Sequence, residues 1–95
     1  MKKLSKIEVT NKLKKLSGWK FVKGQNAITK TFKFKNFTEA FGWRASMALY
    51  AEKKDHHPEW FNVYSTVEVT LSTHDSGGVT YLDLDMAREM NRTSK

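Results

Sequence analysis

Three helix-start signatures partition this chain and leave little freedom in what lies between them. Ser5 stands three residues before Glu8, Asn36 three before Glu39, and Thr80 three before Asp83. In each pair a short polar side chain can accept from an amide of the first turn, and in the first and third pairs the acid can bond back to the cap. After Ser5 the apolar residues Val9, Leu13 and Leu16 share one face, and Leu4 can staple to Val9, so a helix is expected over residues 6–16, ending at Ser17-Gly18. After Asn36, the spacing of Phe37, Phe41, Ala45, Ala48 and Glu52 by threes and fours predicts the longest helix, to about residue 54. After Thr80, Leu82, Met86 and Met90 predict a last helix over 81–91.

The intervals read as paired strands. Residues 19–23 and 28–34 alternate apolar and polar around Gly24-Gln25-Asn26, which predicts a hairpin with one apolar side. Pro58 disfavours helical geometry at His57, so an extended segment is expected over 59–64, followed by 66–72 with Val67, Val69 and Leu71 on one side; Gly77-Gly78 then breaks the chain. The order αββαββα predicts an α+β fold, a small antiparallel four-stranded sheet with three helices covering one face. With 95 residues the chain is read as one domain, 1–95, with a modest core that burial against a second copy would help.

Composition removes several classes of function. There is no cysteine, so disulfides, thiolate nucleophiles and cysteine-ligated zinc are excluded. The start Met1-Lys2-Lys3-Leu4-Ser5-Lys6 is basic but leads into no apolar run, and no stretch nears the roughly 20 apolar residues of a membrane span, so the expected setting is cytoplasmic. The net charge of +7 is lopsided: residues 1–35 hold eleven lysines and a single acid, whereas 36–95 are net acidic. Those lysines are scattered through predicted helix and strands without one arginine to read bases, so a solvated basic face is expected and direct nucleic-acid binding is not.

The chemistry of the chain concentrates in its three histidines. His56 and His57 stand together in Asp55-His56-His57-Pro58-Glu59-Trp60, and His74 follows the last predicted strand. Imidazole titrates near neutral pH, so a cluster suggests proton transfer. Helical spacing would set Glu52 and His56 on one side, where the carboxylate orients or charges the ring; His57 would point elsewhere, Trp60 would offer a flat wall, and His74 would return toward it. On spacing alone, ordinary helix-end and loop roles for these histidines carry the greater weight.

The run Glu52 to Tyr64, with His56-His57-Pro58 at its centre, then Leu71-Ser72-Thr73-His74 and Asp83, resembles the signature of the pterin-4a-carbinolamine dehydratases, also called 4a-hydroxytetrahydrobiopterin dehydratases. The similarity extends through Phe37-Thr38-Glu39-Ala40-Phe41, through Gly78 to Ala87, and to the early Gly18-Trp19. The resemblance implies loss of water from 4a-hydroxytetrahydropterin, the product left by aromatic amino acid hydroxylases, to give quinonoid dihydropterin. It implies that His56, backed by Glu52, transfers a proton, that His74 is a second catalytic histidine, and that His57 contacts substrate and shares the acid role. Pro58 and Trp60 would shape the pocket, and Thr73, His74, Asp75 and Ser76 would meet the pterin ring edge. Asp83 matches the signature aspartate, although a capping role explains it equally well, and Asp55 would steady a histidine or sit solvated at the helix end. No metal or other cofactor is implied, because loss of water leaves the oxidation level unchanged.

The resemblance further implies a homodimer or homotetramer. Two rival readings remain open. One is a protein-binding module, since animal members of the family also serve as a dimerisation cofactor for a homeodomain transcription factor; Phe41, Trp43, Met47 and Tyr50 give the second helix more apolar surface than one buried stripe uses. The other is a hydrolase with zinc on His56, His57, His74 and Glu52 or Asp75.

Overall fold

The structure, a computed structural model, describes residues 2–95; the first residue of the basic start, Met1, lies outside them. Helix α1 (Lys6–Leu13) opens with the reciprocal box, Ser5 Oγ accepting from Glu8 N–H at 3.1 Å and Glu8 Oε1 from Ser5 N–H at 2.9 Å. It ends three residues earlier than the expected boundary. The following turn tightens to i→i−3 bonds, Lys15 N–H to Lys12 O and Leu16 N–H to Leu13 O, yet Leu16 still reaches the core.

Strand β1 shrinks to Lys20–Phe21 against the expected 19–23, because Trp19 leaves the ladder for the core and donates its Nε1–H to Asn91 Oδ1 at 3.0 Å. At the other end Val22 and Gln25 close a turn, Val22 N–H bonding Ala27 O and Gln25 N–H bonding Val22 O. Strand β2 is Ile28–Lys33, β3 is Glu59–Val63 and β4 is Thr66–Leu71, each within one residue of its expected end.

The sheet is antiparallel throughout, in the order β1-β2-β4-β3. Register decides which residues share a face. Ile28 pairs with Leu71, Phe32 with Val67, and Trp60 with Val69, and these side chains join the core. Thr29, Thr31, Glu59, Phe61, Glu68 and Thr70 alternate with them and fall on the other face. All three helices therefore cover one side of the sheet, as expected, and helix α3 (Tyr81–Thr93) adds Leu84, Met86, Ala87 and Met90 to the core. Leu82, expected in its buried stripe, is only partly buried; Asp83 is fully enclosed instead.

Helix α2 (Phe37–Lys54) corrects the sequence-based stripe. Its buried residues are Ala40, Trp43, Met47 and Ala51, whereas Phe37, Phe41, Ala45, Ala48 and Glu52 face solvent. Both sets have helical spacing, and the one carrying Trp43 and Met47 packs against Phe32 and Phe34 of the sheet side. Phe37 and Phe41 stack on each other outside, with ring centroids 5.7 Å apart. Among the described residues no helix is long and apolar enough to cross a membrane.

Candidate active site

The end of α2 sets the direction of both neighbouring histidines. Asp55 takes a left-handed conformation (φ 50°, ψ 44°), so that its N–H bonds Glu52 O and the N–H of His56 reaches back to Ala51 O at 3.0 Å, a Schellman closure. That reversal turns His56 inward. Its side chain is 9% exposed, and Nε2 meets Asp83 Oδ1 at 2.5 Å.

The pairing expected from spacing, Glu52 with His56, is therefore replaced. Glu52 Oε1 instead lies 2.9 Å from Nε2 of His57, since the left-handed residue ends the helical phase that would have stacked positions 52 and 56. Asp55 itself is exposed and makes no side-chain bond to an imidazole among the described residues; it serves through its backbone.

Asp83 holds two roles at once. Oδ2 completes the α3 capping box by accepting from Thr80 N–H at 2.9 Å, and it also accepts from Thr73 Oγ1 at 2.8 Å. Thr73 and Thr80 hydroxyls bond each other at 2.7 Å, and Thr73, Thr80, Asp83 and His56 are all buried. Burial makes this cluster costly to leave incomplete, and every Asp83 oxygen is met. The helix-capping signal was legible; the second oxygen's partner was not, because residue 56 is brought there by tertiary packing alone.

Thr73 departs from its expected role toward a ligand. Its N–H bonds Gly78 O, its carbonyl accepts from Ser76 and Gly78 N–H, and its hydroxyl is committed to Asp83 and Thr80, so it fixes the loop from inside. His74 then opens a 3₁₀ turn (His74–Ser76) that ends on Gly77 at φ +77°. The His74 ring is 74% exposed, with Nε2 3.4 Å from Glu59 Oε2, a partner that sequence reasoning missed. Glu59 follows Pro58 at the start of β3, with Thr70 opposite.

A cleft of about 280 Å³ is lined by Asn26, Glu59, Thr70, Ser72, His74 and Gly77, together with Gln25 and Ala27. A shallower one of about 190 Å³, lined by Glu59, Trp60, Phe61, Glu68 and Thr70, adjoins it along the sheet. His56 is in neither lining. Trp60 borders the second, but its register partner Val69 places it among the core-facing residues, with the Arg44 guanidinium 5.2 Å above its ring. The indole expected as a wall beside His74 thus lies on the opposite face of β3 from Glu59, a consequence of strand alternation. Pro58 is partly buried between His57 and Glu59; Asp75 is exposed in the 3₁₀ turn and Ser76 partly buried.

The outcome is two exposed imidazole–carboxylate pairs, His57–Glu52 and His74–Glu59, beside one buried pair, His56–Asp83. His57 and Glu59 are two residues apart, so their Cα atoms are within about 7 Å. Exposed pairs of this kind are worth at most about 1 kcal/mol each to stability. They leave three imidazoles on separate carboxylates, and among the described residues no three of the histidine and acidic side chains converge as metal ligands.

Comparison with known proteins identifies the family. The family model described as pterin 4 alpha carbinolamine dehydratase matches residues 2–93. Proteins of Brucella ovis and Brucella canis, provisionally named pterin-4-alpha-carbinolamine dehydratase, are 57% identical over 89 residues, covering 94% of this chain and 92% of each relative. A crystal structure of a transcriptional coactivator/pterin dehydratase from Brucella melitensis superposes with a TM-score of 0.96 at 55% identity, covering 98% of this chain and 99% of that one. The chain belongs to the pterin 4 alpha carbinolamine dehydratase family.

Proposed function

We propose that residues 1–95 act as one dehydratase unit that converts 4a-hydroxytetrahydrobiopterin, or a close pterin analogue, to quinonoid dihydropterin and water in tetrahydrobiopterin recycling. The observation that carries this reading is the double engagement of Asp83: one oxygen holds His56, which precedes His57, and the other holds Thr73, which precedes His74. A single buried carboxylate thus ties together the two segments that bear the exposed imidazoles.

In the reaction the C4a–O bond breaks, the departing hydroxyl needs a proton, and N5 must give one up. An acid and a base on neighbouring segments meet that demand without a redox cofactor. His57, paired with Glu52, and His74, paired with Glu59, are the proton-transfer groups, one taking the N5 proton while the other protonates the leaving oxygen. His56, enclosed against Asp83, is a positioning residue. Glu59, Ser72 and the His74–Ser76 turn, with Asp75 and Ser76, face the pterin edge, and Pro58 sets the separation of His57 from Glu59.

We assign the chain to the cytoplasm, downstream of an aromatic amino acid hydroxylase. It works as a homodimer or homotetramer, with Phe37, Phe41 and Leu49 on the solvent face of α2 supplying contact surface. That same face supports a second reading, a protein-binding role, consistent with the coactivator designation of the Brucella melitensis protein.

Stopped-flow ultraviolet absorbance of a synthetic 4a-carbinolamine tests the enzyme reading. Wild type is expected to accelerate decay, and His57→Ala and His74→Ala each to lower kcat by about 10²- to 10⁴-fold. Decay at the spontaneous rate with wild type removes the proposal.

A further inference from the structure

A concentration of positive charge lies away from the histidines, where α1 and α3 end beside each other. A cleft of about 450 Å³ there is lined by Lys14, Lys15, Lys30, Arg88, Arg92 and Lys95, with neutral polar residues and Leu16 between them and no acidic side chain in the lining. Lys30 forms part of this lining. Its ammonium donates to Ser17 O at 2.9 Å and Asn91 Oδ1 at 2.8 Å, both neutral oxygens, and its methylene chain occupies the space that a side chain on Gly18 would fill. Burial first and the charge of Lys95 second hold its pKa below the ordinary lysine value.

Local counter-charge is insufficient for so many cations. Arg88 pairs with Asp85 and Arg92 with Glu89. The carbonyl ends of the two helices supply about half a negative charge each. Lys14, Lys15, Lys30 and Lys95 make no ion pair among the described residues, so after the helix ends are counted about three positive side-chain charges remain unmatched around one concavity.

We propose that this cleft binds a compact polyphosphate anion of the triphosphate class, independently of the dehydratase site. A concave lining favours a compact anion over a duplex, whose backbone needs an extended basic stripe. The absence of an aromatic side chain from the lining also disfavours single-stranded nucleic acid, which stacks its bases on such rings.

Calorimetric titration with inorganic tripolyphosphate at constant ionic strength tests this. Wild type is expected to bind saturably with one-to-one stoichiometry. The cleft double variant Lys14→Gln/Lys15→Gln is expected to bind about tenfold more weakly, the effect of removing two nearby charges. Lys95→Gln is expected to weaken binding from the other wall. The control Lys23→Gln/Lys53→Gln, with the same net charge change outside the cleft, is expected to stay within about twofold of wild type. Equal weakening in both doubles reduces the effect to net charge and overturns the proposal, as does unsaturable binding to wild type. Thermal unfolding midpoints verify that the variants remain folded.

Discussion

Replacing Asp83 with alanine probes the buried cluster that joins the two histidine segments. The side chain is fully enclosed and accepts from His56 Nε2–H, Thr73 Oγ1–H and Thr80 N–H. Alanine leaves the His56 and Thr80 donors without partners, while Thr73 keeps its bond to the Thr80 hydroxyl. At about 1–3 kcal/mol for each of the two orphaned buried donors, the expected loss is about 2–6 kcal/mol. A chain of this length is stabilised by only about 5–14 kcal/mol, so Asp83→Ala is expected to be severely destabilised.

Asparagine gives the finer test. Its oxygen can keep Thr73 and Thr80, which turns the amide N–H toward His56 Nε2. That nitrogen must then accept, and the imidazole proton moves to Nδ1. Urea unfolding should show Asp83→Asn about 2 kcal/mol less stable than wild type, in keeping with a lost charge-assisted bond. Long-range nitrogen–proton correlation NMR should show the His56 tautomer exchanged. Stability of Asp83→Ala within 1 kcal/mol of wild type, or an unchanged Nε2–H tautomer in a well-folded Asp83→Asn, refutes the reasoning.

Other consequences follow from local geometry. A Cβ at Gly78 would stand 2.5–2.8 Å from the Asn26 side chain, which accepts from Val79 N–H, so Gly78→Ala should cost about 1–3 kcal/mol in urea unfolding. On α2, Met47→Ala should lose about 2–5 kcal/mol, whereas Lys53→Ala, exposed on the same helix, should lose less than about 0.5; comparable losses would contradict the assigned buried stripe. Glu8 is held below its ordinary value of 4.5 chiefly by the Ser5 backbone N–H and next by the Ser5 side chain. A depressed carboxylate stabilises the fold fully above its unfolded value, and the contribution is lost as pH falls through the lower folded value. Glu8→Gln should therefore flatten the decline of Tm with pH below 4.5, and an unchanged acid limb would argue against the capping box in solution.

The correspondence between sequence and structure varies with the range of the interaction. The starts of α1, α2 and α3 fall at Ser5, Asn36 and Thr80 because capping depends on residues three apart. The ends are less legible: α1 stops at Leu13 where Trp19 and Leu16 are drawn into the core, and α3 continues to Thr93, whose hydroxyl accepts from Trp43 Nε1–H. Strand alternation correctly puts Val67, Val69 and Leu71 on one face. It also places Trp60 with them, a consequence that becomes visible only once the β3–β4 register is known.

By itself, then, the sequence determined the order of elements, the family, and the residue types available for proton transfer, all of which reside in local spacing and identity. Tertiary structure alone decided which carboxylate meets which imidazole. Asp55 reverses the chain at the end of α2, β-register carries Glu59 to His74, and the start of α3 carries Asp83 between His56 and Thr73. Those pairings depend on angles between segments far apart in the chain, and helical periodicity carries no information about them.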